Sequence, residues 1–366
     1  MKKTLLSILY IFSVLFSFGQ AQGIIQSWDG PYVLYSGKTV SIQTIFKEGD
    51  HFRVQKDSVD QGMKKQIRLN VATDLPDVFF EVNLKSSISN EPAETRKASR
   101  QFIMSDIEGN FSAFRKLLLA GGVIDSAFHW SFGNGHLVLN GDFFDRNSQV
   151  TEVLWLIYSL EDQAKAAGGY VHYILGNHEI MNLSHDFRYH ATKYAGTEMN
   201  LGISFDSLYG RSSELGRWLR SKNIIEKVGN NLITHGGVST DMNYLGMDLT
   251  EINSLSRPYY DDTTFNYTDP RLNFVFGETG PMWYRGYYMT QPLATQQQID
   301  STLDKYLVTK IITGHSIMGE TISSWFDGHV LNTDVEHIKG HSEAILVDGK
   351  NYYRVKPNGE RVVISQ

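Results

Sequence analysis

Five short segments of this 366-residue chain carry side chains suited to metal-assisted phosphate chemistry. Ser-Asp-Ile-Glu-Gly-Asn (105–110) and Gly-Asp-Phe-Phe-Asp-Arg (141–146) offer the carboxylates of Asp106 and Asp142. Gly-Asn-His-Glu (176–179) offers the carbonyl oxygen of Asn177. Thr-His-Gly-Gly (234–237) and Thr-Gly-His-Ser (313–316) offer the imidazoles of His235 and His315. Oxygen and nitrogen donors without a thiolate suit Mn²⁺, Fe or Zn²⁺. Two such cations can share one carboxylate, activate a water and hold phosphate oxygens. Each residue alone has a plainer reading, as a helix N-cap for the aspartates, an Asx-turn for Asn177, or a structural histidine. Their order along one chain favours a single site.

The elements that must position them follow from pattern. Phe102–Met104, Leu137–Leu139 and Val171–Leu175 are short apolar runs, read as buried strands. Helical periods at Phe111–Leu119 and Val150–Ala167 separate them, each stopped by a Gly pair. This β-α-β-α-β order predicts parallel strands with right-handed crossovers. All three early motifs then fall just past strand C-termini, where open α/β sheets bind ligands. Asn231–Thr234 and a strand within Leu307–Thr313 end at the two histidines. Late strands at 329–332, 344–347 and 352–355 predict a second sheet packed on the first. Residues 240–296, rich in Tyr, Asn, Asp and Pro, are expected as loops over the site. Residues 22–100 alternate β-formers between Gly and Asp turns and are read as a small β-rich N-terminal module with a linker. The catalytic domain is expected over 101–366.

Gly-Asp-x-x-Asp-Arg followed by Gly-Asn-His-Glu resembles the calcineurin-like metallophosphoesterase superfamily, over roughly residues 101–350. Gly-Asn-His-Glu-Ile-Met-Asn-Leu and Gly-Pro-Met-Trp-Tyr-Arg-Gly (280–286) are similar to its bacterial Shewanella-like phosphoprotein phosphatases. The resemblance implies an α/β core of two packed mixed sheets flanked by helices. It also implies a binuclear centre in which a metal-activated hydroxide attacks phosphorus. Asp142 would bridge the cations, Asp106 would hold the first, and Asn177, His235 and His315 the second. His178 is the candidate general acid, because an imidazolium proton helps an alkoxide leave. Asp145 would fix its tautomer and raise its pKa. Arg146 would fork onto phosphate oxygens, and Arg285 resembles a second clamp; Arg188 is a weaker candidate. The chain departs from the family pattern at Glu108, where Asp-x-His has histidine. Glu108 either binds the first metal through oxygen, which favours Mn²⁺, Fe³⁺ or Mg²⁺ over Zn²⁺, or misses it and leaves the first site weak or empty. Asn147 stands where glycine is usual. Asp334 and His337 could supplement the site or form a polar turn.

A charge of −6 with no Lys/Arg-rich block makes a duplex nucleic-acid partner unexpected. Lys2, Lys3, an apolar run over 5–18 and Gly19-Gln20-Ala21 read as a signal peptide over residues 1–21. Export to a bacterial periplasm or beyond, with no stable membrane span afterwards, is the expectation. The absence of cysteine excludes disulfides and a lipidated cysteine. The expected activity is hydrolysis of phosphomonoesters, on phosphoproteins or small molecules, with two divalent or trivalent metal ions. A phosphodiesterase or nucleotidase on the same core, or a non-catalytic phosphate- or partner-binding protein with a degenerate first metal site, are the alternatives.

Overall fold

The computed structural model describes residues 26–96 and 98–364; the expected signal segment lies outside them. The chain begins with a three-stranded antiparallel sheet, β1 (Gln26–Ser36), β2 (Thr39–Glu48) and β3 (His51–Asp60). A hairpin of β4 (Arg68–Ala72) and β5 (Phe79–Asn83) follows. The short β6 (Glu94–Thr95) leads into β7 (Arg100–Met104), α1 (Phe111–Ala120), β8 (His136–Asn140), α2 (Val150–Ala166) and β9 (Tyr170–Ile174). As expected, β7, β8 and β9 run parallel.

The second half supplies β10 (Ile225–Val228), β11 (Asn231–Thr234), β12 (Lys310–Thr313), β13 (Ser323–Trp325) and β14 (Val330–Asn332). It ends with β15 (Ala344–Asp348), β16 (Asn351–Val355) and β17 (Arg361–Val363). These complete two six-stranded mixed sheets, ordered β17-β16-β15-β7-β8-β9 and β13-β14-β12-β11-β10-β6.

Period-2 alternation explains how the sheets pack. Ile103, Val138 and Ile174 of the first sheet meet Ile233, Ile312 and Leu331 of the second in one buried cluster. Their neighbours Phe102, Leu137, Ile311 and Val330 belong to the other cluster, which includes the helices. Each of these side chains is essentially fully buried, which stabilises the sandwich by about 1.5–3 kcal/mol per large aliphatic residue.

Three readings of the sequence differ from the structure. Of the late strands expected in a second sheet, only β14 joins it; β15 and β16 extend the first sheet instead, with β15 antiparallel beside β7. The helix over 150–167, whose period predicts one apolar face, is buried along most of its length, because residues 26–95 cover its outer side. Trp155 Nε1 donates to the carbonyl of Pro31 at 2.8 Å, and the Tyr158 hydroxyl accepts from the amide of Lys85 at 2.7 Å. The stretch 240–296, expected as loops, includes helices at Thr240–Tyr244, Leu249–Ser256 and Arg271–Phe276. Asp248 and Glu251 form a capping box that starts the second of these, a signal present in the sequence. Among the described residues no helix is long and apolar enough to cross a membrane.

Candidate active site

The five motifs converge at the C-terminal edges of the central strands. Asp106, Asp142 and Asn177 follow β7, β8 and β9; His235 and His315 follow β11 and β12. Each sheet therefore delivers donors to one place. The turns that carry them are tight. Asp106, Glu108, Asp142, Asp145, Arg146 and His315 all adopt positive φ, between 49° and 71°. Non-glycine residues rarely do so without a functional constraint. Close approach also dictates glycine here: a Cβ on Gly176 would collide with Asp142 Oδ1, and one on Gly314 with Asp106 Oδ2.

Ligand atoms of Asp142, His235 and His315 lie within 4.8 Å of one another. His235 Nδ1 is bonded to the carbonyl of Asn140 at 2.7 Å, which aims Nε2 inward. That Nε2, His315 Nε2 and Asn177 Oδ1 are buried and have no hydrogen-bond partner among the described residues. His235 Nε2 comes within 2.9 Å of Asp142 Oδ2 without hydrogen-bond geometry. Buried polar atoms are normally paired, so two orphaned imidazole nitrogens grouped with one carboxylate, and an orphaned Asn177 Oδ1 on an adjoining ligand loop, fit a cation. The surrounding charge agrees. Burial, then repulsion from Asp334, raises Asp106 well above the usual carboxylate range. Burial likewise lifts Glu108 to about 8 and Asp334 to about 7, against the pull of nearby cationic groups. Carboxylates crowded in this way call for further positive charge.

Around this centre lies a cavity of about 320 Å³. Asp106, Glu108, Asp142, Arg146, His178, Arg285, His315 and Asp334 line it, and so do the apolar Met289, Ile317 and Ile338. His178 Nδ1 sits 2.5 Å from Asp145 Oδ2, and Nε2 lies 3.8 Å from Asp142 Oδ2. Burial lowers the His178 pKa, but Asp142 and Asp145 outweigh it and raise the value to about 9. Cations held at Asp142 would draw that value down by repulsion. Arg285 Nη1 donates to the His315 carbonyl at 2.5 Å, which presents the guanidinium to the cavity.

Glu108, expected as a ligand or a miss, turns its Oε1 to Arg146 Nε at 2.5 Å. Asn147 keeps its turn by donating its side-chain amide to the Glu108 carbonyl at 2.9 Å. Arg188 is not brought to the cavity; it forms an exposed fork with Asp186. His337 lines the wall, but its ring nitrogens engage the Ser105 carbonyl and Ser342 Oγ.

Sequence reasoning missed three buttresses. The buried Glu179 carboxylate accepts from the amides of Asp142 (2.9 Å), Phe143 (2.7 Å) and Gly176 (2.7 Å), tying two ligand loops together. Its position three residues after Gly176, at a helix start, was the available signal. Asn182 donates to Asp145 Oδ1 at 3.0 Å, and His190 Nε2 contacts Asn182 Oδ1 at 2.6 Å. Nothing in their spacing marked Asn182 or His190.

Comparison with known proteins agrees with this geometry. The profile of the calcineurin-like phosphoesterase family matches residues 100–318. An uncharacterized protein of Schizosaccharomyces pombe is 30% identical over 67% of this chain and 75% of its own length. Shewanella-like protein phosphatase 1 of Plasmodium berghei is 24% identical over 70% of this chain and 72% of its own. Among solved structures, a cold-active protein-tyrosine phosphatase of a psychrophilic Shewanella species is 34% identical. It covers 92% of this chain and 99% of its own, with a TM-score of 0.82. With ligand loops, orphaned donors and the matched profile coinciding on the same strands, the chain belongs to the calcineurin-like phosphoesterase family.

Proposed function

We propose that this phosphoesterase hydrolyses phosphomonoesters, with aryl phosphates such as phosphotyrosine as the favoured class, at a binuclear centre loaded with Mn²⁺. Fe or Zn²⁺ would serve the same donors. Asp142, Asn177, His235 and His315 would hold one cation. Asp106 and Asp142, supplemented by Asp334, would hold the other. Glu108 has one oxygen committed to Arg146 and is the weaker donor of the two. When bound, the cations supply an activated water and neutralise charge on the phosphate oxygens.

The protein's own residues do the rest. Arg146 and Arg285 line the cavity and orient the phosphate by charge-assisted hydrogen bonds. Asp145 engages Nδ1 of His178, so Nε2 is the end free to give a proton to the leaving oxygen. Asn182 and His190 hold Asp145 in place. Met289, Ile317 and Ile338 are 47%, 48% and 60% exposed beside the same cavity, a surface suited to an aromatic leaving group. The Shewanella neighbour, named a protein-tyrosine phosphatase, supports the same substrate class.

The observation that carries this reading is His178, paired with Asp145, lining the same cavity as Asp142 and the orphaned His315. The test is p-nitrophenyl phosphate hydrolysis during a Mn²⁺ titration from the metal-free protein. Turnover should saturate near two metals per chain. A dominant rate on phosphodiesters, or no turnover at any Mn²⁺ level, would overturn it. We propose further that residues 1–21 direct export to a periplasm or beyond. Mass determination of the N-terminus after cell fractionation tests this, with Gln22 as the expected first residue.

A further inference from the structure

A second cavity, of about 540 Å³, lies between Tyr35 of β1, the 3-10 turn at Gln61–Gln66, the segment 86–90 and residues 211–221 around the helix at Glu214–Leu219. It shares no residue with the catalytic cavity. Its lining includes Lys64, Arg211, Arg217 and Arg220 and no carboxylate, on a chain whose formal charge is −6. Two acids behind the wall compensate this charge only in part. Buried Glu214 pairs with Lys64 at 3.0 Å and accepts from the hydroxyls of Tyr35 and Tyr158. Asp261 is shared by Arg211 at 2.6 Å and Arg220 at 3.1 Å. Arg217 makes no ion pair among the described residues. Its guanidinium lies 4.0 Å from the centre of the Tyr35 ring, and its Nε donates to the Arg211 carbonyl. The stacking fixes the plane of the fork while its terminal nitrogens keep donors to offer.

We propose that this cavity is an anion-binding site, distinct from the catalytic centre, for a ligand of the phosphate class. Four cations facing one cavity raise the local potential. Planar guanidinium groups match the oxygens of a phosphate in a way that a scattered basic surface does not. Two sources share this chemistry: free inorganic phosphate, the product of the proposed reaction, and a phosphoryl group carried by a protein.

Isothermal titration of the full, metal-loaded protein with inorganic phosphate and with a non-hydrolysable phosphonate peptide separates them. One class of sites should weaken by about tenfold or more in Arg217→Gln, and should weaken with added salt. Arg217→Lys should recover part of the affinity. Turnover of p-nitrophenyl phosphate by Arg217→Gln should match that of the wild type, which also shows that the variant is folded. An Arg217-dependent class seen with phosphate assigns the site to the free anion; one seen only with the peptide assigns it to a phosphoprotein. Binding that is identical in wild type and Arg217→Gln for both titrants overturns the inference. Absence of turnover in the wild type would overturn the proposed reaction instead, because the Arg217-dependent class does not need it.

Discussion

At the scale of single residues, the roles divide into proton transfer and metal retention, and each has its own readout. His178→Ala should lower kcat by about 10²–10⁴ while the protein keeps its full metal content by elemental analysis. The loss should be larger for alkyl than for aryl phosphates, because a phenolate leaves with less help. Equal losses on both would remove His178 from leaving-group protonation. Asp334→Asn and Glu108→Gln form the contrasting pair. The first should weaken one of the two proposed metal sites by about tenfold or more, consistent with the cost of losing an oxygen donor or its support. The second should keep both ions and raise KM, because it releases Arg146 from its carboxylate partner. The reverse pattern in a metal titration would return Glu108 to the ligand set. Most donors were legible in the sequence because each follows a buried apolar run, and Asp142, Asn177 and His315 also follow a glycine. Asn182 and His190 were not, since a buttress needs only to be near its neighbour in space.

At the scale of elements, short buried strands bounded by glycine announced themselves, whereas β10 did not. Its four residues, Ile225–Val228, include Glu226 and Lys227, which break the apolar pattern. The fold resolves this by burying Glu226 against His172 Nδ1 at 2.7 Å, while His172 Nε2 shares a hydrogen bond with His136 Nδ1 at 3.0 Å. Strands β13 and β17 have three residues each, too few for any period to show. The β8–β9–β10 cluster also has a pH signature. Burial first, then the neighbouring His172, lowers His136 from 6.5 to about 4. The folded state therefore favours the neutral ring. That contribution is whole above about pH 6.5 and is lost as pH falls toward 4. His136→Gln should accordingly show a smaller drop in Tm than the wild type between about pH 7 and pH 4.5. Parallel Tm curves would assign acid sensitivity elsewhere.

At the scale of the whole molecule, residues 26–95 and the catalytic region share one apolar cluster, in which Tyr32, Val71 and Val82 join Trp155 and Tyr158. The strand β6 also pairs with β10 at the edge of the second sheet. Arg115 on α1 reaches out to Asp74 through two hydrogen bonds of 2.7 Å. Expression of 101–366 alone should therefore give insoluble or molten protein, checked by near-UV circular dichroism; a cooperative thermal transition would contradict it. Composition alone marked the N-terminal segment as different but carried no sign that it roofs α2, because contacts between distant segments leave no local period.

The proposed metal donors come from both sheets, Asp106, Asp142 and Asn177 from one and His235 and His315 from the other. A cation seated among them is a cross-link that exists only while the two halves stay docked. Ion binding is thereby linked to the folding equilibrium, and stability becomes a function of free metal concentration. At about a hundredfold excess over Kd the gain is about 2.7 kcal/mol per ion. Chelation should lower Tm by several degrees even where no substrate is present, and a titration of Tm against Mn²⁺ would measure occupancy in a protein that is not turning over.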